Sequence, residues 1–219
     1  MPPPVAPAEK ALARNPLARQ MNDCFALLKE PRRPWLDTES LKAKFFLLSA
    51  AFHPDKVHGG TQDEKSAAQQ RYSELNSAYN RLRDPKERLL HLLELERGEK
   101  PKDTQRIAPS LAETFNQVNL ICRAADALRS EAHRITSPLL KVAMFDRAQE
   151  TTEKLRQLQQ EIHVQREAVL TEIQQIDSAW TENSDRQIAL GRLEELYRLL
   201  SYFTRWSGQL QDRVLQLAF

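Results

Sequence analysis

A chain of 219 residues, 41% hydrophobic and 28% charged, has the length of one large domain or two small ones and an ordinary soluble composition. Its net charge of +2 argues against a polyanion, nucleic acid included, as the main partner. Five glycines and no strand-like alternation of Val, Ile and Thr leave an all-α chain as the expected fold class. Cys24 and Cys122 are the only cysteines and lie far apart, with neither a CxxC nor a ligand-spaced histidine nearby. A metal site or disulfide framework is therefore not expected, and the chain suits a reducing compartment.

Residues 1–14 open with Met1-Pro2-Pro3-Pro4-Val5-Ala6-Pro7 and read as a flexible Pro-rich tail. They carry neither the charged nor the apolar region of a secretory signal. No run approaches the roughly 18 apolar residues of a membrane span, so no membrane partner is expected and the location expected is cytoplasmic.

Residues 15–97 form the first expected unit. Leu41, Phe45, Leu48 and Phe52 recur at helical spacing and put one apolar stripe on a helix. Pro54 disfavours a helical His53, so that helix ends close to His53. After Gly59-Gly60, Thr61-x-x-Glu64 reads as a capping box opening a second helix, which turns Ala68, Tyr72, Leu75, Ala78, Tyr79 and Leu82 inward. His53-Pro54-Asp55, followed by Lys56, is thereby displayed at the tip of a helical hairpin. Asp84 can cap a further helix with Pro85 at its first position and Glu87 three residues after the cap. Leu89, Leu90, Leu92, Leu93 and Leu95 make this helix apolar on more than one face, as a connector wedged between two layers would be. It should stop at Gly98, and residues 98–108 read as a polar linker.

Residues 109–219 read as an antiparallel three-helix bundle. Ser110-x-x-Glu113 should open its first helix, with Leu111, Phe115, Val118, Cys122, Ala125, Ala132 and Ile135 along the seam. The second should run from Ser137-Pro138 to Trp180, with Asp146 as a candidate kink and Leu155, Leu158, Ile162, Val169, Ile173 and Ile176 inward. Ser184-x-x-Gln187 should open the third, buried through Leu193, Leu196, Leu200, Phe203, Leu210, Val214 and Leu217.

The HPDK loop with a helix on each side resembles the J-domain, the module through which co-chaperones engage DnaK-type ATPases. Asp23-x-Phe25-x-x-Leu28 is similar to the short first helix of that family. Asn76-x-Ala78-Tyr79-x-x-Leu82-x-x-Pro85-x-x-Arg88-x-x-x-Leu92-Leu93 resembles HscB, the co-chaperone family of iron–sulfur cluster assembly, as does the helix entry Leu36-Asp37-Thr38. The C-terminal bundle resembles that family's in position and size, and Leu199 to Trp206 resembles its final helix.

The resemblance implies no enzyme and no cofactor, but an activator of a DnaK/HscA-type ATPase that presents an IscU-type scaffold. Its chaperone-binding residues would be His53, Pro54, Asp55, Lys56, Lys42 and Lys44. Physical chemistry suits that role. Pro54 fixes a backbone torsion, Asp55 offers a carboxylate to an arginine, and His53 donates or accepts hydrogen bonds. The helix before the loop departs from the family, however. From Thr38 to Phe52 it carries only a net +1, with Phe46, Leu47, Ser49, Ala50 and Ala51 where basic residues are usual. Two readings follow: packing against the rest of the chain, or an apolar docking surface.

The client-binding helix departs too. The family's is acidic, whereas Leu111 to Cys122 carries Glu113 as its one carboxylate. The candidates for its outward side are Asn116, Asn119, Leu120 and Ile121. An alternative reading stays open, in which a J-domain adaptor serves another client and the bundle dimerises or binds a different scaffold. His58, His91, His133 and His163 do not cluster and read as surface or core-edge residues. His163 with Glu167 makes no convincing zinc pair. No Gly-rich phosphate loop occurs, so no nucleotide is expected.

Overall fold

A computed structural model describes residues 23–52, 56, 59–101, 109–135, 137–180 and 186–217. Among the described residues every regular element is helical. The α-helices are α1 (Cys24–Leu27), α2 (Thr38–Ser49), α3 (Gln62–Arg83), α4 (Pro85–Arg97), α5 (Ala112–Ala132), α6 (Pro138–Ser178) and α7 (Arg186–Leu217). Short 3-10 turns, Ala50–Phe52 and Pro109–Leu111, follow α2 and precede α5.

By contacts the chain divides into two compact units: Met1–Pro101 with Ile173–Tyr197, and Lys102–Glu172 with Arg198–Phe219. This differs from the expected cut at residues 98–108, because the end of α6 and the start of α7 are grouped with the first segment.

In the first unit the local signals act as the sequence predicts. Asp23 caps α1, accepting from the N–H groups of Phe25 at 2.9 Å and Ala26 at 3.2 Å. Asp37 caps α2 by accepting from Ser40 N–H at 2.7 Å. Thr61 and Glu64 form both halves of a capping box on α3. Asp84 caps α4, Pro85 takes its first turn, and Gly98 ends it at φ 76°, where a side chain would be strained. Phe25, Leu28, Leu41, Leu82, Leu89, Leu92 and Leu93 are fully buried, each contributing about 1.5–3 kcal/mol over exposure. Phe45 on α2 stacks on Tyr79 of α3 with ring centroids 4.5 Å apart, closing the hairpin.

The segment Arg32 to Trp35 is tied down by groups distant in sequence. The Arg33 guanidinium forms a bidentate pair with the buried Asp177 carboxylate, which also accepts from Trp35 N–H at 3.0 Å. Trp180 Nε1–H donates to the Arg32 carbonyl at 2.8 Å. Arg186 lies 4.7 Å over the Trp180 ring and pairs with Glu96 at 2.9 Å, and Arg97 pairs with Glu194. These contacts give residues 173–197 their place in the first unit.

The second unit is built from α5 and the parts of α6 and α7 that belong to it. Its pairings run up, down, up. Glu131 of α5 meets Arg147 of α6 at 2.8 Å, and Gln159 of α6 meets Gln211 of α7 at 3.1 Å. Phe115 packs on Trp206 and Asp126 pairs with Arg213, so α5 and α7 advance together. One expected detail changes. Ser110 does not cap α5; it lies in the 3-10 turn, and Leu111 occupies the cap position with no side-chain hydrogen bond. Helix α6 is assigned as one helix through Asp146. Ser184, the expected cap of α7, lies outside the described residues.

Candidate functional site

Helix α2 passes through the 3-10 turn Ala50–Phe52 towards His53-Pro54-Asp55, and α3 begins at Gln62. The tripeptide itself lies outside the described residues, as do Val57 and His58, and Lys56 is exposed. The two expected cations of α2 are both partly exposed, and each lies near a carboxylate. Lys44 pairs at 2.9 Å with Glu30, whose side chain is 8% exposed, and reaches the Lys29 carbonyl at 3.5 Å. Lys42 sits 3.9 Å from Glu39.

Of the two readings of the apolar residues before the loop, packing against the rest of the chain does not describe Phe46, Leu47, Ala50 or Ala51. Phe46 is 58% and Leu47 77% exposed, and Ala50 and Ala51 are exposed as well. Only Ser49 is buried, its hydroxyl donating to the Phe46 carbonyl at 3.3 Å. The reason is helical geometry. Leu41, Phe45 and Ser49 share the inward side of α2, and Phe46 and Leu47 fall on the other.

Beneath the hairpin the polar groups are inside. Arg88, the arginine of the Pro85-x-x-Arg88 pattern, is buried and donates to the carbonyls of Pro34 and Leu82, both at 2.9 Å. Its guanidinium lies 5.6 Å over the Trp35 ring, and burial lowers its pKa to about 10, leaving it charged at neutral pH. His91 is a core residue at 3% exposure, deeper than the surface or core-edge place expected of it. Its Nε2 accepts from Cys24 N–H at 3.0 Å, its ring stacks on Phe25, and its Nδ1 faces Glu94 at 3.8 Å. Burial first, then the Arg81 charge, lowers its pKa to about 4, so it is neutral at physiological pH. His133 and His163 are exposed as expected.

On α5, Asn116 is exposed, Leu120 is 68% exposed, and Asn119 and Ile121 are half-buried. Leu120 and Ile121 come together in an open groove of about 420 Å³, with Gln117 and Ala124 beside them. Asn116 and Asn119 do not line it. The opposite wall is Lys154, Gln157, Leu158 and Glu161 of α6, residues the sequence reading did not assign to a site. Their i, i+3, i+4, i+7 spacing was the available signal, but it marks one helix face without naming its neighbour. The groove's polar rim is internally paired: Lys154 with Glu150 at 2.7 Å, and Gln157 donating to Glu161 at 3.2 Å.

Among the described residues, no group of three or more His, Cys, Asp or Glu could hold a metal ion, and no helix is long and apolar enough to cross a membrane. Both cysteines are free and buried. No protein-family model matches the chain. Two solved structures are similar to it along most of its length. Chaperone HscB from Vibrio cholerae superimposes with a TM-score of 0.58 at 16% identity, over 89% of this chain and 99% of that one. Human co-chaperone HscB gives 0.60 at 19% identity, over 86% of this chain and 80% of that one. The chain has the HscB fold. At these identities the likeness is one of architecture, and what the HscB fold does here rests on the residues it carries.

Proposed function

We propose that the chain is an HscB-like co-chaperone of the cytoplasm. It raises the ATPase of a DnaK/HscA-type chaperone through His53, Pro54, Asp55 and Lys56, and it presents a client, an IscU-type iron–sulfur scaffold, on the bundle. The observation that carries this reading is the HPDK sequence between α2 and a capped α3, in a chain with the HscB fold. The chain does no covalent chemistry under this reading. It shifts its partner by binding the hydrolysis-competent state more tightly than the other.

The client contact centres on Leu120 and Ile121, with Asn116 and Asn119 at its margin. Affinity there comes mainly from apolar burial, because the charges around the groove are paired within the chain. The same observation favours the second reading, an adaptor for a client other than an iron–sulfur scaffold, since nothing in this groove offers the acidic surface of the family.

Single-turnover ATP hydrolysis by a purified DnaK-type chaperone tests the proposal. The chain should accelerate it, and His53→Gln or Asp55→Asn should remove the acceleration without lowering the thermal midpoint. Equal acceleration by both variants would refute the role of the tripeptide.

A further inference from the structure

The bundle of the second unit carries a second groove, between α6 and α7, of about 470 Å³. Phe145 of α6 and Leu215 of α7 line it at 59% and 64% exposure, with the buried Ala148 and Val214 behind them. Its α6 wall repeats as a heptad does. Val142, Phe145, Gln149, Thr152 and Arg156 recur at spacings of three and four, the pattern of a helix that packs along another helix. The core of the bundle takes a different stripe of α6, through Leu155, Leu158 and Ile162. The outer heptad therefore has no helix against it within the unit.

The charges on this wall say what fits. Glu153 and Arg156 line the groove one turn apart and, among the described residues, enter no ion pair. Glu153 only accepts from Gln149 at 3.4 Å. The α5–α6 groove differs, since its Lys154 is paired with Glu150. A partner surface of uniform charge would satisfy one of Glu153 and Arg156 and repel the other. A second copy of α6 has both signs at the right spacing. Laid antiparallel about a twofold axis between the two positions, it brings Glu153 of each copy to Arg156 of the other. The lining is smaller than the roughly 20–30 residues each side brings to a standard interface, so the contact is weak and reversible.

We infer that the α6–α7 groove, centred on Phe145 and Leu215, is the interface of a weak antiparallel homodimer with reciprocal Glu153–Arg156 pairs. At about 100° per residue, Lys154 and Glu161 of the α5–α6 groove lie about 160–180° round α6 from Phe145. Dimerisation thus leaves that groove open on each copy, and the dimer presents two client faces. The inference stands on the bundle alone and does not depend on the co-chaperone reading.

Sedimentation velocity of the full chain, from about 1 to about 300 µM, tests it. The wild type should pass from monomer to dimer with a Kd of roughly 10–100 µM. Phe145→Ser/Leu215→Ser should weaken association at least tenfold, and so should Glu153→Arg or Arg156→Glu alone. Glu153→Arg/Arg156→Glu together restores both pairs across the axis and should recover the wild-type constant within about threefold. All four side chains are exposed, so thermal midpoints should stay close to the wild type. A chain that remains monomeric at the highest concentration would overturn the interface, as would a dimer that the serines leave intact. Failure of the double reversal to recover what each single reversal loses would overturn the antiparallel pairing.

Discussion

The interior beneath α4 and the outer surface of α2 invert the usual placement of polar and apolar groups. The interior holds Arg88, His91, Asp23 and Asp177, while the surface shows Phe46 and Leu47. The buried groups are hydrogen-bonded to loops and helix ends, fixing segments that carry no regular structure of their own. Phe46 tilts against the Phe45 ring at 5.6 Å, yet most of its surface and that of Leu47 stays exposed. In this unit buried charge fixes position, and some apolar surface stays exposed.

Breaking the interior should be costly. Arg88→Met keeps the length of the side chain but leaves the Pro34 and Leu82 carbonyls unpaired, a loss of about 2–4 kcal/mol. Urea denaturation should show it as a lowered midpoint. Phe46→Ser, by contrast, should stay within about 0.5 kcal/mol of the wild type.

Acid should act on the same interior. The folded pKa of His91, about 4, lies below its ordinary value of 6.5. Between the two, the unfolded chain binds a proton that the folded chain does not. Stability is therefore full above pH 6.5 and falls as the pH drops towards 4, by up to about 3 kcal/mol from this group. His91→Gln, which can still accept from Cys24 N–H, should flatten that part of the curve. An unchanged acid slope would mean that other groups carry it.

These predictions rest on features that were not equally legible in the sequence. Thr61 with Glu64, Asp84 with Pro85, and Gly98 were readable because caps act within one turn and need no tertiary partner. Ser110 was misread because a 3-10 turn competes with the cap geometry its spacing suggested. Burial of His91 was signalled only by the leucines on both sides of it, a pattern shared with core-edge residues. The Arg33–Asp177 pair joins residues 144 apart, and no local rule could match one to the other. The same distance explains why residues 173–197 were assigned by sequence to the bundle alone. For the candidate sites, the HPDK loop and Leu120 with Ile121 were legible as motif and outward face. The wall that α6 adds to the groove depended on packing.

The groove offers a smaller effect. Leu120→Ala and Ile121→Ala should each weaken binding of an IscU-type scaffold to the full chain by about sixfold or more if they anchor the client. Leu120→Ala should hardly change stability, since that side chain is largely exposed. Isothermal titration reads the first quantity and thermal melting the second. Affinity unaltered by both changes would move the client contact elsewhere.

The smallest expected effect tests the central contrast most directly: the salt dependence of ATPase stimulation. With a net charge of only +1 from Thr38 to Phe52, and with Lys44 paired to Glu30, half-saturation should change little between 50 and 300 mM salt, about threefold or less. A loss of tenfold or more over that range would show that cations dominate docking, and would contradict the account.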